Sequence, residues 1–185
     1  MHWTDRRSYR KECAALRILF DIDKKNYDPD GTRGYRPSCM GIIIRGGRLV
    51  MAYSSKNGYY IFPGGGIMRR ESLDETLYRE INRGTGLEIE RASITEYGSV
   101  RIIEKGDYED IFINETFYYF CSVIGDFTEH EIEDYESEEC FVLKFVTAAD
   151  AIAANEKYIA DSPIDETALE GVTRVLKMLR DENIA

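Results

Sequence analysis

One stretch of this chain places acidic and basic side chains at fixed intervals after a run of glycines. It reads Gly-x5-Glu-x7-Arg-Glu-Ile-x4-Gly-Leu. Its fixed points are Gly65, Glu71, Arg79, Glu80, Ile81, Gly86 and Leu87. Carboxylate oxygens are the ligands that Mg²⁺ and Mn²⁺ prefer, and glycines allow a backbone to come close to a bound group. The residue types are therefore suited to cation-assisted phosphate chemistry.

A helix must carry the second half of this stretch. Ser72, followed three residues later by Glu75, forms a capping box that predicts the start of the helix. Leu73, Leu77 and Ile81 follow at helical spacing, so they would face a core and leave the acidic residues on another face.

The stretch resembles the signature box of the Nudix hydrolases, G-x5-E-x7-R-E-U-x-E-E-x-G-U, in which U is aliphatic. Seven of the nine fixed positions match at the same spacing, and the box follows a predicted strand and enters a helix. Further segments resemble one bacterial subgroup of the family, and together they cover most of the chain. These segments are residues 26–28, 36–38, 59–66, 110–121 and 134–141.

The resemblance implies a metal site on the helix. Nudix hydrolases cleave a nucleoside diphosphate linked to another group, with Mg²⁺ or Mn²⁺ shielding the charge and activating water. In the family, glutamates stand at the positions of Glu80, Arg83 and Gly84, on one face of the helix. By the same resemblance, Glu71 assists as a ligand or base.

Two of those three helix carboxylates are replaced in this chain, by Arg83 and Gly84. The face then carries no net charge, and Arg83 would repel a cation near Glu80. Like unit charges about 4 Å apart cost about 4 kcal/mol at an effective dielectric of about 20. The substitutions make a hydrolase assignment conditional on other ligands.

Carboxylates outside the box are the candidates to complete the metal site. They are Glu115 in a predicted strand and Glu136, Glu138 and Glu139 in an acidic loop, although each is more often a solvated charge. Glu136 and Glu139 fit the pattern of the subgroup best. We therefore predict metal contacts from Glu71, Glu80, Glu136 and Glu139.

Catalytic roles are assigned by resemblance to Glu71, Arg79 and Glu80. Arg79 would orient the neighbouring acids through charged hydrogen bonds. A surface ion pair between Arg79 and Glu75 is the alternative.

The predicted substrate contacts combine the glycine loop with nearby arginines. They are Gly64, Gly65, Gly66, Arg69, Arg70 and Arg83. The arginines could hold phosphate directly, without a metal, or form a basic patch on a solvated face.

The remaining pattern predicts strands, a helix, strands and two helices, which is an α/β sandwich of the Nudix type with a mixed β-sheet. Strands are predicted over residues 16–22, 40–44, 48–53, 59–62, 94–104, 110–123 and 141–146, with a helix over residues 5–16, loops over 26–36 and 128–139, and further helices over 147–155 and 165–181. We expect residues 1–36 to be an N-terminal extension, 37–160 the Nudix domain and 161–185 a C-terminal helix packed on it.

Composition limits the classes of function. The 185 residues carry a net charge of −10, which argues against a nucleic-acid partner. No signal peptide or membrane-spanning run is evident, so we expect a cytoplasmic protein without a membrane partner. Four cysteines and two histidines, without metal-site spacing, disfavour a zinc site.

The sequence thus leads to a Nudix hydrolase that cleaves a diphosphate linkage in a nucleotide-like small molecule, with weak or narrow activity. The alternative is a catalytically inactive Nudix domain that binds a nucleotide or a protein partner. A third reading is a structural module with a vestigial pocket. The resemblance also makes a homodimer plausible.

Overall fold

The computed structural model describes residues 17–125, 141–162 and 166–185. The helix predicted over residues 5–16 and the acidic loop predicted over 128–139 lie outside these ranges. Among the described helices, none is long and apolar enough to cross a membrane.

Nine strands in the described ranges form two sheets. They are β1 (Ile18–Asp23), β2 (Arg33–Ile42), β3 (Ile44–Arg45), β4 (Arg48–Ser54), β5 (Tyr60–Ile61), β6 (Gly64–Gly66), β7 (Thr95–Glu104), β8 (Ile111–Phe120) and β9 (Phe141–Val146). One sheet has the order β1-β7-β8-β2-β6, and the other joins β3, β4 and β5, with β9 beside β4. Because β1–β7 and β2–β8 are parallel and the other pairs are antiparallel, the predicted mixed sheet is confirmed.

Strand β2 is longer than the sequence predicted. The loop predicted through residue 36 was wrong at its end, because β2 begins at Arg33 and pairs with β8 from there to Ile42. A hairpin forms at the next strand, where Gly46 and Gly47, with φ of 57° and 75°, link β3 to β4. One run of chain therefore contributes to both sheets.

Three α-helices in the described ranges cover the sheets where the sequence predicted helices, although the one predicted over residues 147–155 continues to Asp161. They are α1 (Leu73–Thr85), α2 (Ala148–Asp161) and α3 (Thr167–Asp181). Leu77 and Ile81 of α1 are fully buried in a cluster that contains Cys39 of β2. Ile42 of β2, with the opposite strand parity, packs in a second cluster with Leu176 of α3. The two faces of β2 thus meet helices on opposite sides, which gives the α/β/α arrangement.

The start of α1 is fixed by the predicted capping box. The backbone N–H of Glu75 donates to Ser72 Oγ at 3.4 Å, and the N–H of Ser72 donates to Glu75 Oε2 at 2.9 Å. The helix ends at Gly86, whose φ of 69° is left-handed and whose N–H donates to the carbonyl of Asn82 at 2.8 Å. The N-cap at Ser72 and the C-cap at Gly86 together determine which residues of α1 lie beside β6.

Removing the cap should weaken the fold measurably. We expect Ser72→Ala to lower the free energy of unfolding by about 1 kcal/mol, because an N-terminal N–H loses its acceptor. The measurement is the urea midpoint at an unchanged m-value. Ser72→Thr keeps the hydroxyl and should fall much closer to the wild type; equal losses for both variants would contradict the capping role.

Candidate functional site

The glycine strand β6 lies directly against a carboxylate of α1. A Cβ built on Gly65 would stand 2.2 Å from Glu80 Oε2, so a side chain there would force the Glu80 carboxylate out of its place. A Cβ on Gly64, which has a φ of 152°, would stand 2.2 Å from the carbonyl oxygen of Cys39. The missing side chains therefore allow β6 to fit between β2 and Glu80.

Arg79 joins the two acids of the site. Its Nε donates to Glu71 Oε1 at 2.5 Å and its Nη2 to Glu71 Oε2 at 2.6 Å, a bidentate pair. Its Nη1 donates to Glu80 Oε1, and Nη2 also reaches the carbonyl oxygen of Gly66 at 3.1 Å. Since the carboxylate of Glu75 bonds to Ser72 in the cap, the alternative pairing of Arg79 with Glu75 is wrong.

Glu71 is saturated with donors. Besides Arg79, the backbone N–H of Met68 donates to Oε2 at 3.0 Å and Thr76 Oγ1 donates to it at 2.8 Å. The hydrogen bonds from Arg79, helped by those from Met68 and Thr76, lower the pKa of Glu71 to about 2 against the opposing effect of burial. Glu71 is therefore an anion at neutral pH, and Arg79 holds its orientation.

Glu80 is held from two sides by guanidinium groups. Its side chain is only 6% exposed, and Arg83 Nη2 donates to Oε2 at 2.7 Å, while Arg79 occupies Oε1. The Arg83 side chain is 70% exposed. Two carboxylates, Glu71 and Glu80, thus balance two arginines, and the cluster has no net charge.

Two cavities meet beside this cluster, at Arg36 and Gly66. The first, here the sheet cavity, has a volume of about 340 Å³ and lies between the β2–β8–β7 face of the sheet and α3. The second, here the loop cavity, has a volume of about 380 Å³ and lies beside Arg69 and Glu109. Each volume falls within the roughly 300–1,000 Å³ usual for ligand pockets.

A comparison with known families identifies this architecture. Residues 34–167 match the NUDIX domain family. The chain is a member of the Nudix hydrolase family.

The chain is also similar to two known proteins. The RNA pyrophosphohydrolase of Ectopseudomonas mendocina (strain ymp) is 44% identical over 57 residues, which are 30% of this chain and 35% of that protein. This chain thus aligns with about a third of that relative's length. The mutator MutT protein of Bacillus halodurans aligns with a TM-score of 0.54 and 15% identity over 76% of this chain and 82% of its own. At that identity the second likeness shows a shared fold.

Nudix hydrolases generally use divalent metal ions. The side chains of the Nudix box, in the positions that the structure gives them, do not form a site for such an ion. Both oxygens of Glu80 are bonded to arginines, and both oxygens of Glu71 are bonded to Arg79. Within residues 17–125, 141–162 and 166–185, no group of three or more His, Cys, Asp and Glu side chains could hold a metal ion. The predicted ligands Glu136 and Glu139, like Glu138, lie outside these ranges.

The predicted substrate residues divide between the two cavities and their surroundings. Gly66 lines both cavities, Gly65 lines the sheet cavity and Arg69 lines the loop cavity. Arg70, with a left-handed φ of 70°, is exposed and lines neither, and Gly64 lines neither. Arg83 lies instead in the ion-pair cluster on α1.

Sequence reasoning missed the polar residues of β2 and β8 that line the sheet cavity. They are Arg36, Ser38, Asn114 and Thr116. Asn114 and Thr116 interrupt a strand rich in Phe, Tyr and Ile, and a polar residue in such a strand is a signal of a buried contact or a pocket. The candidate Glu115, which points to the opposite face, accepts a hydrogen bond from the hydroxyl of Tyr35 at 2.7 Å.

The pairing of Glu71 makes stability depend on pH. Because its pKa of about 2 lies below the ordinary 4.5, the pair stabilises the fold fully above pH 4.5 and loses that effect as the pH falls towards 2. We expect Glu71→Gln to cost about 1–3 kcal/mol at pH 7 and progressively less below pH 4.5. Urea midpoints between pH 7 and pH 3 test this. The exposed Glu96→Gln is the control, and a Glu71→Gln deficit that stays constant over this range would contradict the assignment.

Proposed function

We propose that this Nudix domain binds a nucleotide-like phosphorylated small molecule without a resident divalent cation and without metal-dependent hydrolysis. The contact between Arg83 Nη2 and Glu80 Oε2, 2.7 Å long, carries the proposal. This contact places the guanidinium group of Arg83 at the carboxylate that binds a metal ion in the family.

Electrostatics supports this assignment. A divalent cation approaching Glu80 must displace at least one guanidinium group and then remain beside Arg79 and Arg83, both positive. Removing a partner from a buried carboxylate also costs free energy, since Glu80 is 6% exposed. The internal ion pairs therefore compete directly with a metal ion.

The shape of the two cavities supports a ligand with an apolar ring and an anionic group. The sheet cavity is walled by apolar residues such as Ile102, Leu169 and Val172. The loop cavity, which joins it at Gly66, contributes Arg36 and Arg69. Within the described ranges neither arginine is paired with a carboxylate, so both can meet phosphate oxygens. A nucleoside in the sheet cavity would direct its phosphates towards these arginines.

A second candidate is hydrolysis of a diphosphate linkage at a weak or narrow level. The retained frame of Glu71, Arg79 and Glu80 favours it, as does the similarity to a protein named RNA pyrophosphohydrolase. This candidate needs further carboxylates, such as Glu136 and Glu139, to draw Glu80 away from Arg83.

Ligand titrations with and without metal separate the two candidates. The probes are ADP-ribose, a sugar nucleotide, a dinucleoside polyphosphate and an oxidised nucleotide, each measured in EDTA and in Mg²⁺ or Mn²⁺. We expect binding of at least one probe in EDTA, an unchanged Kd with metal, and no turnover. Turnover that requires metal would establish the second candidate, whereas no binding of any probe under any condition would overturn both.

Restoring the lost carboxylates should create a metal site. We expect Arg83→Glu with Gly84→Glu to raise the affinity for Mn²⁺ at least about tenfold, because two charges of the right sign then flank Glu80. A side chain fits at position 84, where a built Cβ meets nothing within 4 Å. Isothermal titration calorimetry measures the gain.

Two further variants control this experiment. Ala153→Glu with Lys157→Glu changes the net charge equally on exposed positions of α2 and should gain far less affinity. Glu80→Gln added to the restored variant should abolish the gain. If the restored variant folds but binds Mn²⁺ no better than the α2 control, Glu80 does not lie at the metal position.

A further inference from the structure

The sheet cavity is built from two secondary-structure layers. Its floor is formed by residues of one strand parity in β2, β8 and β7, and its roof by the first turns of α3. Gly171 of α3 faces this floor with room for a side chain, since a Cβ there would make only ordinary contacts, 3.8–3.9 Å from Val100, Ile102 and Ile22. Asn114 stands on the floor, in register with Arg36 on one side and Ile102 on the other.

The amide oxygen of Asn114 has no hydrogen-bond partner in the described part of the chain. This oxygen, Oδ1, is buried, yet it receives no hydrogen bond from any residue that the structure describes. The neighbouring polar pair on the same face is satisfied, because the hydroxyls of Ser38 and Thr116 lie 3.0 Å apart and bond to each other. Asn114 is thus a polar floor residue with a buried, unused hydrogen-bond acceptor.

A second buried amide in the same chain shows what a structural asparagine looks like. Asn155 is fully buried, its Oδ1 accepts from the N–H of Tyr60 at 2.7 Å, and its Nδ2 donates to the carbonyl of Tyr60 at 3.0 Å. Both ends of that amide serve the fold. An unsatisfied buried acceptor destabilises a protein. The amide of Asn114 therefore lowers the stability of the fold and makes no hydrogen bond that would offset this loss.

We propose that Asn114 determines ligand specificity, by hydrogen-bonding the edge of a nucleobase seated in the sheet cavity. An amide presents an acceptor and a donor side by side, which matches a heterocycle edge carrying a neighbouring N–H and ring nitrogen or carbonyl. The apolar side chains of Ile102, Leu169 and Val172, which line the same cavity, would contact the ring. Arg36, next to Asn114 across the sheet, would lie towards the phosphates.

This inference rests on the proposed function and deepens it, so the test must separate the two. The probes are ADP and inorganic pyrophosphate, both titrated in EDTA. Pyrophosphate reports on the arginines alone, whereas ADP adds the base. The variants are Asn114→Leu and the smaller Asn114→Ala, with Asn155→Leu as the structural comparison.

The expected result is selective. Asn114→Leu and Asn114→Ala weaken ADP binding about tenfold, roughly the worth of one net hydrogen bond, and leave pyrophosphate binding unchanged. Asn114→Leu also raises the melting temperature, by about 2–4 °C, because the unsatisfied acceptor is gone. Asn155→Leu lowers the melting temperature.

Each contrary outcome has a distinct meaning. Wild-type affinity for ADP in both Asn114 variants overturns the inference and leaves the proposed function standing. Equal weakening for both probes, or a lower melting temperature in both variants, makes Asn114 a structural residue and also overturns it. A wild-type protein that binds neither ADP nor pyrophosphate overturns this inference, whereas the proposed function falls only if none of its own four probes binds either.

Discussion

The site depends on one buried carboxylate, that of Glu80, compensated by two arginines beneath a strand of glycines. A buried anion needs counter-charge and hydrogen bonds to remain ionised, and Arg79 and Arg83 supply both. Because Arg79 also binds Glu71 and the carbonyl of Gly66, the same interactions tie helix α1 to β6 and to the loop between them. The negative charge of Glu80 is therefore balanced by side chains of the same helix.

The features of the site that could be predicted from the sequence are those determined by residues close together in the chain. The capping box at Ser72 and the helix periodicity act over a few residues, so they predicted α1 correctly. The extent of β2 was not predictable in this way, because its partner β8 lies some 78 residues away in sequence, as the bond between Ser38 and Thr116 illustrates. The replacement of a glutamate by Arg83 was visible in the sequence, where it predicted repulsion of a cation. Only the structure shows that Arg83 donates a hydrogen bond to Glu80.

The cavity residues illustrate the same limit more strongly. Each of β2, β8 and α3 looks ordinary alone, and a pocket arises only when their faces are brought together. Asn114 and Asn155 are chemically identical and both lie at least partly inside the protein. One amide completes the backbone bonding of β5 and the other faces a cavity, so their roles are set by neighbours that no local pattern encodes.

The register of strand β2 in the sheet decides which of its side chains line the sheet cavity. Its even-numbered residues Ser38 and Met40 line the sheet cavity, whereas Cys39 lies in the core under α1. Gly41 also faces α1, where a Cβ would lie only 2.7 Å from the side chain of Ile81. Side chains alternate between the faces of a strand, so a shift of one residue would exchange the two sets completely. The carbonyl of Pro37, which accepts from the N–H of Ile67 at 3.0 Å, and the tight fit at Gly41 hold the strand against such a shift. The chemical character of the pocket is thus fixed by the same contacts that align the backbone.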